Sequence, residues 1–122
     1  MTAENGEGFT RSARIRRRGE FLSLGRRGER RRTEHFTFVV QSSGAAGRLG
    51  ITVSRKVGGA VTRNLLKRRI RESFRRHPMR DRFFGDLLVI AKAGVGAVPA
   101  AIVQSDVGSI LEAFGRRHAS SR

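Results

Sequence analysis

The stretch that most constrains the fold is "VGGAVTRNLLKRRIRESFRRH", residues 57–77. After its two glycines, Leu66, Ile70 and Phe74 recur four residues apart, which places them in one apolar stripe of a helix. The spacing predicts a helix over about 59–76, ended by the proline that follows, because proline cannot continue a helix. The fold must therefore bury one narrow side of this helix against a core.

The rest of this predicted helix is crowded with positive charge. Like charges four residues apart cost roughly a few tenths of a kcal/mol per pair in a free helix, and only Glu72 supplies the opposite sign. A bound polyanion would offset this repulsion, so we interpret the face as a binding surface rather than a solvated one. Its members beside the apolar stripe are Asn64, Lys67, Arg68, Arg71 and Arg75.

The whole chain shares this excess of positive charge. Its 122 residues, enough for one domain, include 26 Lys and Arg against 10 Asp and Glu, for a net charge of +16. Such a field attracts polyanions at long range, which indicates nucleic acid as the partner. Most of the basic residues are arginines, whose planar group binds phosphate in two places and stacks on bases. That preference fits RNA, although a GC-rich coding bias would give the same excess.

Other classes of protein are excluded by what the sequence lacks. The absence of cysteine excludes a disulfide framework, a thiolate zinc site and a cysteine nucleophile. No apolar run approaches the roughly 20 residues that span a bilayer, and the first residues lack the features of a signal peptide. We therefore expect a cytoplasmic protein without membrane contact. Residues 1–10 are small and polar, so we expect a disordered tail there, with a second tail at 119–122.

Two segments before the basic helix are predicted as strands. Residues 35–41, "HFTFVVQ", are rich in β-branched and aromatic side chains and stop at a Ser/Gly turn. Residues 48–54, "RLGITVS", place Leu49, Ile51 and Val53 on one face and small or polar residues on the other. We expect these two strands to pair as an antiparallel hairpin with one dry face.

Three further elements complete the prediction. A short helix over 18–26, closed near a glycine, carries Phe21 on its apolar face. Residues 86–92, "DLLVIAK", form a more continuous apolar run, typical of a better-buried strand, and apolar residues at helical spacing mark a last helix over 100–117. The order is α-β-β-α-β-α, and the class is α+β, in a single RNA-binding domain over 11–118.

The histidines and acids of the chain give no pattern for catalysis. Many small nucleases use two histidines, but His35, His77 and His118 precede a strand, end a helix and lie in the tail. His77, beside a proline, is interpreted as a helix cap. Asp81 and Asp86 are isolated, whereas a protein site for a divalent cation recruits several oxygens. The chemistry of any RNA cleavage must therefore come from a partner.

Residues 48–77, "RLGITVSRKVGGAVTRNLLKRRIRESFRRH", resemble the signature of the bacterial ribonuclease P protein subunit. In that signature a strand ending in V-S-[KR]-K runs through [VI]-G-x-A-V to R-N-R-x-K-R-x-[IL]-R and an aromatic residue, with the same spacing. The segment from Ile15 to Gln41 and the strand at 86–92 also resemble the family. The resemblance therefore covers most of the chain.

The resemblance implies a function. It implies the protein subunit of a ribonucleoprotein that removes the 5′ leader of precursor tRNA, with a catalytic RNA subunit that holds Mg²⁺ and one protein expected per RNA. It also implies a small sheet joined through the basic helix by a left-handed βαβ crossover, an exception to the usual rule. The residues that it assigns to the RNA subunit are Arg63, Asn64, Lys67, Arg68 and Arg71. The residues that it assigns to the leader are Phe21, Thr37, Val39, Thr52, Ser54, Arg55 and Lys56.

Several of these residues have a second interpretation. Folded RNA is gripped through phosphates, whereas a single strand suits a groove with aromatic stacking and flanking charge. Phe21 equally fits a core aromatic of an amphipathic helix, and Thr52 and Ser54 fit the wet side of a hairpin. Leu65 stands where the family pattern has arginine, and it is either partly exposed or recruited into the core.

Other kinds of basic protein provide the rival interpretations. A plain RNA-binding module, such as a ribosomal protein, would show the same charge and size, and only the motif at 48–77 separates the two. A basic DNA-binding or membrane-surface helix would need helix-turn-helix spacing or a large exposed apolar face, and neither is present.

Overall fold

The computed structural model describes residues 14, 15, 19, 24 and 26–120 of the chain. The described residues do not include Phe21, the predicted tail at 1–10 or most of the predicted N-terminal helix. Within that helix, Gly19, Leu24, Arg26 and Arg27 are helical. The amide of Gly28 donates to the carbonyl of Leu24 at 2.8 Å, which agrees with a helix that ends near Gly28.

Four strands form one mixed sheet. They are β1 (Glu29–Arg32), β2 (Phe36–Ala46), β3 (Arg48–Thr52) and β4 (Phe84–Ala91), in the spatial order β1-β2-β4-β3. β1 pairs antiparallel with β2, β2 pairs antiparallel with β4, and β3 runs parallel to β4. β3 and β4 lie within two residues of the predicted strands, but β2 continues five residues past the predicted end at residue 41, through the segment predicted as a Ser/Gly turn, and β1 was not predicted.

The predicted hairpin between the second and third strands is wrong. β4 lies between β2 and β3 and pairs with both, so the two strands that adjoin in sequence are separated in the sheet. The reason is burial: β4 carries apolar side chains toward both faces, and a central position covers both of them. Because β3 and β4 are parallel neighbours joined through a helix, the predicted βαβ crossover is present, and its left-handedness stays an implication of the resemblance.

Two helices cover one side of the sheet. Helix α1 (Ala60–Arg76) starts at the N-cap Gly59 and ends at the C-cap His77, as the sequence predicts. A 3₁₀ helix (Pro78–Arg82) leads into β4, and helix α2 (Ala100–Ser120) closes the described part of the chain. The side chain of His77 accepts a hydrogen bond from the amide of Met79 at 3.0 Å, which confirms its role as a cap.

The main core fills the space between these helices and one face of the sheet, which we call the core face. Leu66, Ile70 and Phe74 of α1 are fully buried, so the predicted stripe is confirmed. The residues that the strands contribute to this face are Phe36, Phe38, Val40, Leu49, Ile51, Leu87, Val89 and Ala91. The residues from α2 are Val103, Val107, Ile110, Leu111 and Phe114.

The opposite side of the sheet, which we call the open face, carries a second and smaller cluster. Val39 and Leu88 lie there beside Ile15 and Leu24, with Ile90 partly buried against them. Ile15 also donates its amide to the carbonyl of Leu49 at 2.9 Å, which holds Arg14 and Ile15 along the outer edge of β3. Among the described residues, no helix is long and apolar enough to cross a membrane.

Candidate nucleic-acid interface

The outward side of α1 brings together all five residues that the family resemblance assigns to an RNA partner. Asn64 and Arg68 are exposed, and Arg63, Lys67 and Arg71 are half-buried. Because Leu66, Ile70 and Phe74 point into the core, the basic residues occupy the remaining circumference, with Arg75 continuing their row. We call this set, Arg63, Asn64, Lys67, Arg68, Arg71 and Arg75, the helix surface.

Two arginines of α1 also make contacts that shape the protein. The Nε of Arg63 donates to the carbonyl of Gly58 at 3.2 Å, which ties this side chain to the loop before the helix. The Nη1 of Arg69 donates to the carbonyl of Val98 at 2.7 Å. Arg69 therefore connects α1 to the segment that leads into α2, and it serves the fold rather than the helix surface.

The loop between β3 and α1 joins the helix surface to the open face. Ser54, Arg55 and Lys56 are exposed in this loop. Its backbone is anchored, because the carbonyl of Lys56 accepts a bond from the amide of Gly94 at 2.8 Å and Val57 is buried. The basic side chains of Arg55 and Lys56 thus project from a held loop between the two surfaces.

The open face shows its polar side chains at one end of the sheet. Residues that lie opposite each other in a ladder share a face, and Thr37 of β2, Ile90 of β4 and Thr52 of β3 form one such row across the strands. Thr52 is exposed, and Thr37 and Ile90 are half-buried. The predicted contacts Thr37 and Thr52 are therefore brought together on one accessible surface.

The next row of side chains on the open face, which contains Val39 and Leu88, is buried. Val39 has no exposed surface and packs in the small cluster with Leu24 and Leu88. A Cβ added at Gly28 would lie 2.3 Å from Cγ1 of Val39, so the end of the N-terminal segment presses directly on this side chain. Val39 thus forms the floor beneath that segment and is left out of the contacts proposed below.

A bidentate ion pair marks the far end of the open face. The Nε and Nη2 of Arg48 donate to the two carboxylate oxygens of Asp86 at 2.9 and 3.0 Å. These residues lie opposite each other in the β3–β4 ladder, and both are partly buried. The pair fixes the start of the parallel ladder and engages both oxygens of Asp86.

Sequence reasoning missed the basic residues that β1 brings to the open face. Arg32 lies opposite Thr37, and Arg30 lies opposite Val39. Nothing in the composition of "ERRR" distinguishes a strand from a charged loop, because all four residues are exposed. The signal that was available is the turn chemistry of Thr33, which follows directly.

Comparison with known proteins identifies the family. A sequence model of the family described as Ribonuclease P matches residues 9–115. The chain is 40% identical over 102 residues to a protein named Ribonuclease P protein component from Syntrophus aciditrophicus, covering 83% of this chain and 86% of the relative. It is 35% identical over 117 residues to another of that name from Geobacter sp., covering 95% of both.

The chain belongs to the ribonuclease P protein family. Solved structures agree: the RNase P protein from Thermotoga maritima has 32% identity and a TM-score of 0.69, covering 82% of this chain and 96% of that one. A mutant Staphylococcus aureus RNase P protein has 26% identity and a TM-score of 0.78, covering 93% and 97%. The chain is thus the protein subunit of ribonuclease P, an endoribonuclease of tRNA processing, and the ribosomal-protein alternative is set aside.

The departure from the family signature at Leu65 is a feature of the α1 surface. Leu65 is half-buried, which confirms the expectation of partial exposure. It lies about 100° around the helix from the buried Leu66, beside the exposed Arg68 and Asn64. This member of the ribonuclease P family therefore carries an apolar side chain at the edge of its helix surface.

The candidate catalytic groups of this ribonuclease P protein are occupied or isolated. The Nδ1 of His77 accepts from the amide of Met79, and its Nε2 lies 3.5 Å from a carboxylate oxygen of Glu112. His35 precedes β2 and lies beside the end of β4, where its carbonyl accepts from the amide of Lys92 at 3.0 Å, whereas His77 precedes the start of β4. Within the described part of the chain, no three His, Asp or Glu side chains come together as a metal site would require. Asp86 is engaged by Arg48, and Asp81 is exposed, so the described residues do not fit a Mg²⁺ site.

Proposed function

We propose that this subunit holds the catalytic RNA of ribonuclease P through the helix surface and the 5′ leader of precursor tRNA through the open face. Arg63, Asn64, Lys67, Arg68 and Arg71 bind the RNA subunit. Thr37, Thr52, Ser54, Arg55 and Lys56 bind the leader, and Phe21 belongs to the same proposal from the sequence alone. The observation that carries the proposal is the separation of two surfaces of different chemistry by one anchored basic loop.

The helix surface suits a folded RNA. Its side chains are cations and an amide on one rigid helix, and they point away from the core that fixes the helix. Phosphates are bound by such groups through charge and paired hydrogen bonds, without a need to read bases. A bound RNA also relieves the repulsion among Lys67, Arg71 and Arg75, which lie four residues apart.

The open face suits a single strand. Hydroxyl groups of Thr37 and Thr52 flank the apolar side chain of Ile90, and the basic residues of the β3–α1 loop follow Thr52 by three and four positions in the chain. Single-stranded RNA is bound by grooves that combine apolar contact with the bases and positive charge along the backbone. The leader of precursor tRNA is the segment of the substrate with this character.

Catalysis in this proposal belongs to the RNA subunit. Mg²⁺ supplies charge neutralisation at the reacting phosphate when bound, and we assign it to the RNA, because Asp86 is engaged by Arg48 and no three acids or histidines come together among the described residues. The protein's own residues orient the substrate and neutralise backbone charge. We further propose one protein per RNA, in the cytoplasm, with cleavage that releases the mature 5′ end of tRNA.

A reconstitution assay tests the proposal. Protein refolded from denaturant, and so freed of RNA, is mixed with precursor tRNA and Mg²⁺, with and without its RNA subunit. We expect no cleavage without the RNA subunit and a single cut at the 5′ end with it. Precursor tRNA is also expected to bind the holoenzyme more tightly than mature tRNA, which lacks the leader.

Two results would contradict the proposal. Robust Mg²⁺-dependent cleavage by the RNA-free protein would place the chemistry in this chain. Equal affinity of the holoenzyme for precursor and mature tRNA would show that this protein does not bind the leader. If the cleavage rate were normal in that case, the protein would still be an RNA-bound subunit of the enzyme.

A further inference from the structure

Strand β1 extends the open face by one strand beyond the residues considered above. Arg32 lies directly opposite Thr37, which pairs with Ile90, which pairs with Thr52. These four residues form one row that crosses all four strands of the sheet. At a strand spacing of about 4.8 Å, the row spans roughly 14 Å from Thr52 to Arg32.

The alternation along β1 separates its arginines by face. Arg32 points to the open face, whereas Arg31 lies opposite Phe38 and faces the core side, with its guanidinium carbon 5.4 Å from the ring centroid of Phe114. Arg31 also pairs with Glu29. Arg32 is exposed, and in the described part of the chain it has no such ion pair or ring contact.

Three hydrogen bonds hold the turn that follows Arg32. The amide of Thr33 donates to the carbonyl of Phe36 at 2.9 Å, and the amide of Phe36 donates to Oγ1 of Thr33 at 3.2 Å. The Nζ of Lys92, just beyond the end of β4, donates to the carbonyl of Thr33 at 2.6 Å. The backbone that carries Arg32 is thereby fixed relative to the neighbouring strands before any ligand arrives.

We propose that Arg32 binds a phosphate of the single-stranded leader, so that the leader crosses the open face from β3 to the edge strand β1. This inference rests on the proposed function of the open face. A guanidinium binds a phosphodiester through two parallel N–H donors, and a fixed backbone lowers the entropy lost on binding. Arg55 and Lys56 follow Thr52 by three and four residues in the exposed loop after β3, so basic groups are present near the β3 side of the row as well as at Arg32, with hydroxyl and apolar groups between Thr52 and Arg32.

Basic residues on an edge strand also have a simpler role, and the experiment must distinguish that role from binding of the leader. Charged side chains on an edge strand discourage pairing with other sheets, whatever they bind. Arg31 and Arg32 share that use, since both are exposed residues of β1. They differ in the face on which they lie, so Arg31→Ala removes the same charge from the same strand without touching the open face.

The test compares Arg32→Ala and Arg31→Ala in the reconstituted holoenzyme. The dissociation constants for precursor tRNA and mature tRNA are measured, and the constant for mature tRNA divided by that for precursor tRNA reports the contribution of the leader. We expect Arg32→Ala to lower that ratio by about tenfold, the scale of a lost charge-assisted contact. Arg31→Ala should leave the ratio within about twofold of the unsubstituted protein, because a distant surface charge acts weakly in salt.

Two further measurements keep the test decisive. Arg32→Lys should recover part of the ratio, because it restores the charge without the paired donors. A precursor whose leader is too short to reach β1 should bind the Arg32→Ala and unsubstituted proteins equally. Thermal melting of each free variant confirms that it is folded, which the exposure of Arg32 leads us to expect.

The outcomes separate this inference from the proposed function. Equal loss of the ratio in Arg31→Ala and Arg32→Ala, or no loss in either, overturns the role of Arg32 and leaves leader binding on the open face standing. If the unsubstituted holoenzyme shows no preference for precursor tRNA, both the inference and the leader-binding role fail.

Discussion

The two faces of the sheet use the same strands but bury very different amounts of apolar side chain. Alternate residues of β2 and β4, such as Phe38 and Val89, enter a large cluster with α1 and α2 on the core face. Their neighbours Val39 and Leu88 join only Ile15 and Leu24 on the open face. One face is closed by two whole helices, and the other is closed in part and keeps a polar row accessible.

Helix α1 repeats this division around its own axis. Leu66, Ile70 and Phe74 are fully buried, while Asn64 and Arg68 are exposed. In both, the buried apolar side chains and the exposed charged side chains lie on opposite sides of one element, so that charges which repel one another are placed where they disturb packing least. Substitutions on the two sides should therefore change different measurements.

The largest effect is expected on the core side. Phe74 is fully buried and packs edge-on against Phe83, with ring centroids 6.3 Å apart. Phe74→Ala should lower the free energy of unfolding by about 3–5 kcal/mol. Val39→Ala, in the small cluster, removes two methyl groups and should cost roughly 1.5 kcal/mol. Denaturant unfolding of the free proteins measures the loss of stability in each variant. Equal losses would contradict the conclusion that the core face contributes more to stability than the open face.

A smaller effect, and of another kind, is expected on the helix surface. Lys67→Ala and Arg68→Ala should each weaken binding to the RNA subunit and lower the slope of log K against log salt by about one unit. The exposed Arg68 should change stability by less than about 0.5 kcal/mol. Arg82→Ala removes an exposed charge from the 3₁₀ helix and serves as the control. An unchanged slope for Lys67→Ala and Arg68→Ala would mean that these side chains face solvent in the complex.

The smallest change in stability is expected at the boundary between the two sides of α1. Leu65 is half-buried, so Leu65→Arg should shift the free energy of unfolding by only about 0.5 kcal/mol, since arginine is a good helix former and its stem can lie along the surface. RNA binding should tighten by up to about 1–2 kcal/mol, the scale of a charge-assisted phosphate contact. A fall of many degrees in the melting temperature of the free protein would instead show that Leu65 belongs to the core.

The sequence predicts most elements of this fold because their patterns are periodic. The stripe of Leu66, Ile70 and Phe74 and the alternation in β3 each follow from burial of one side, and both are confirmed. Strand order is not periodic, so adjacency along the chain suggested a hairpin between β2 and β3. The continuous apolar run of β4 held the missing information, because Leu87 and Leu88 need cover on opposite faces.

The two candidate binding surfaces also differ in how far the sequence predicts them. The residues of the helix surface share one helix, so their spacing alone predicts that they lie together. The row from Thr52 to Arg32 depends on the register between four strands, two of which are separated by the whole of α1. A pattern within one segment cannot give that register, which is why Arg32 was not predicted as a neighbour of Thr37.

The place of β4 in the sheet also sets the order in which the protein can fold. β4 is the last strand of the chain but the central one, and β3 has no partner strand until β4 arrives. During synthesis from the N-terminus, the β1–β2 pairing is the one pairing of these four strands that can form before residues 84–91 emerge from the ribosome. Until then the arginine-rich first half of the chain has no other strand pairing in the described sheet, and its charge would attract any RNA without selecting among sequences. We therefore expect selective binding of RNA only after β4 has docked between β2 and β3.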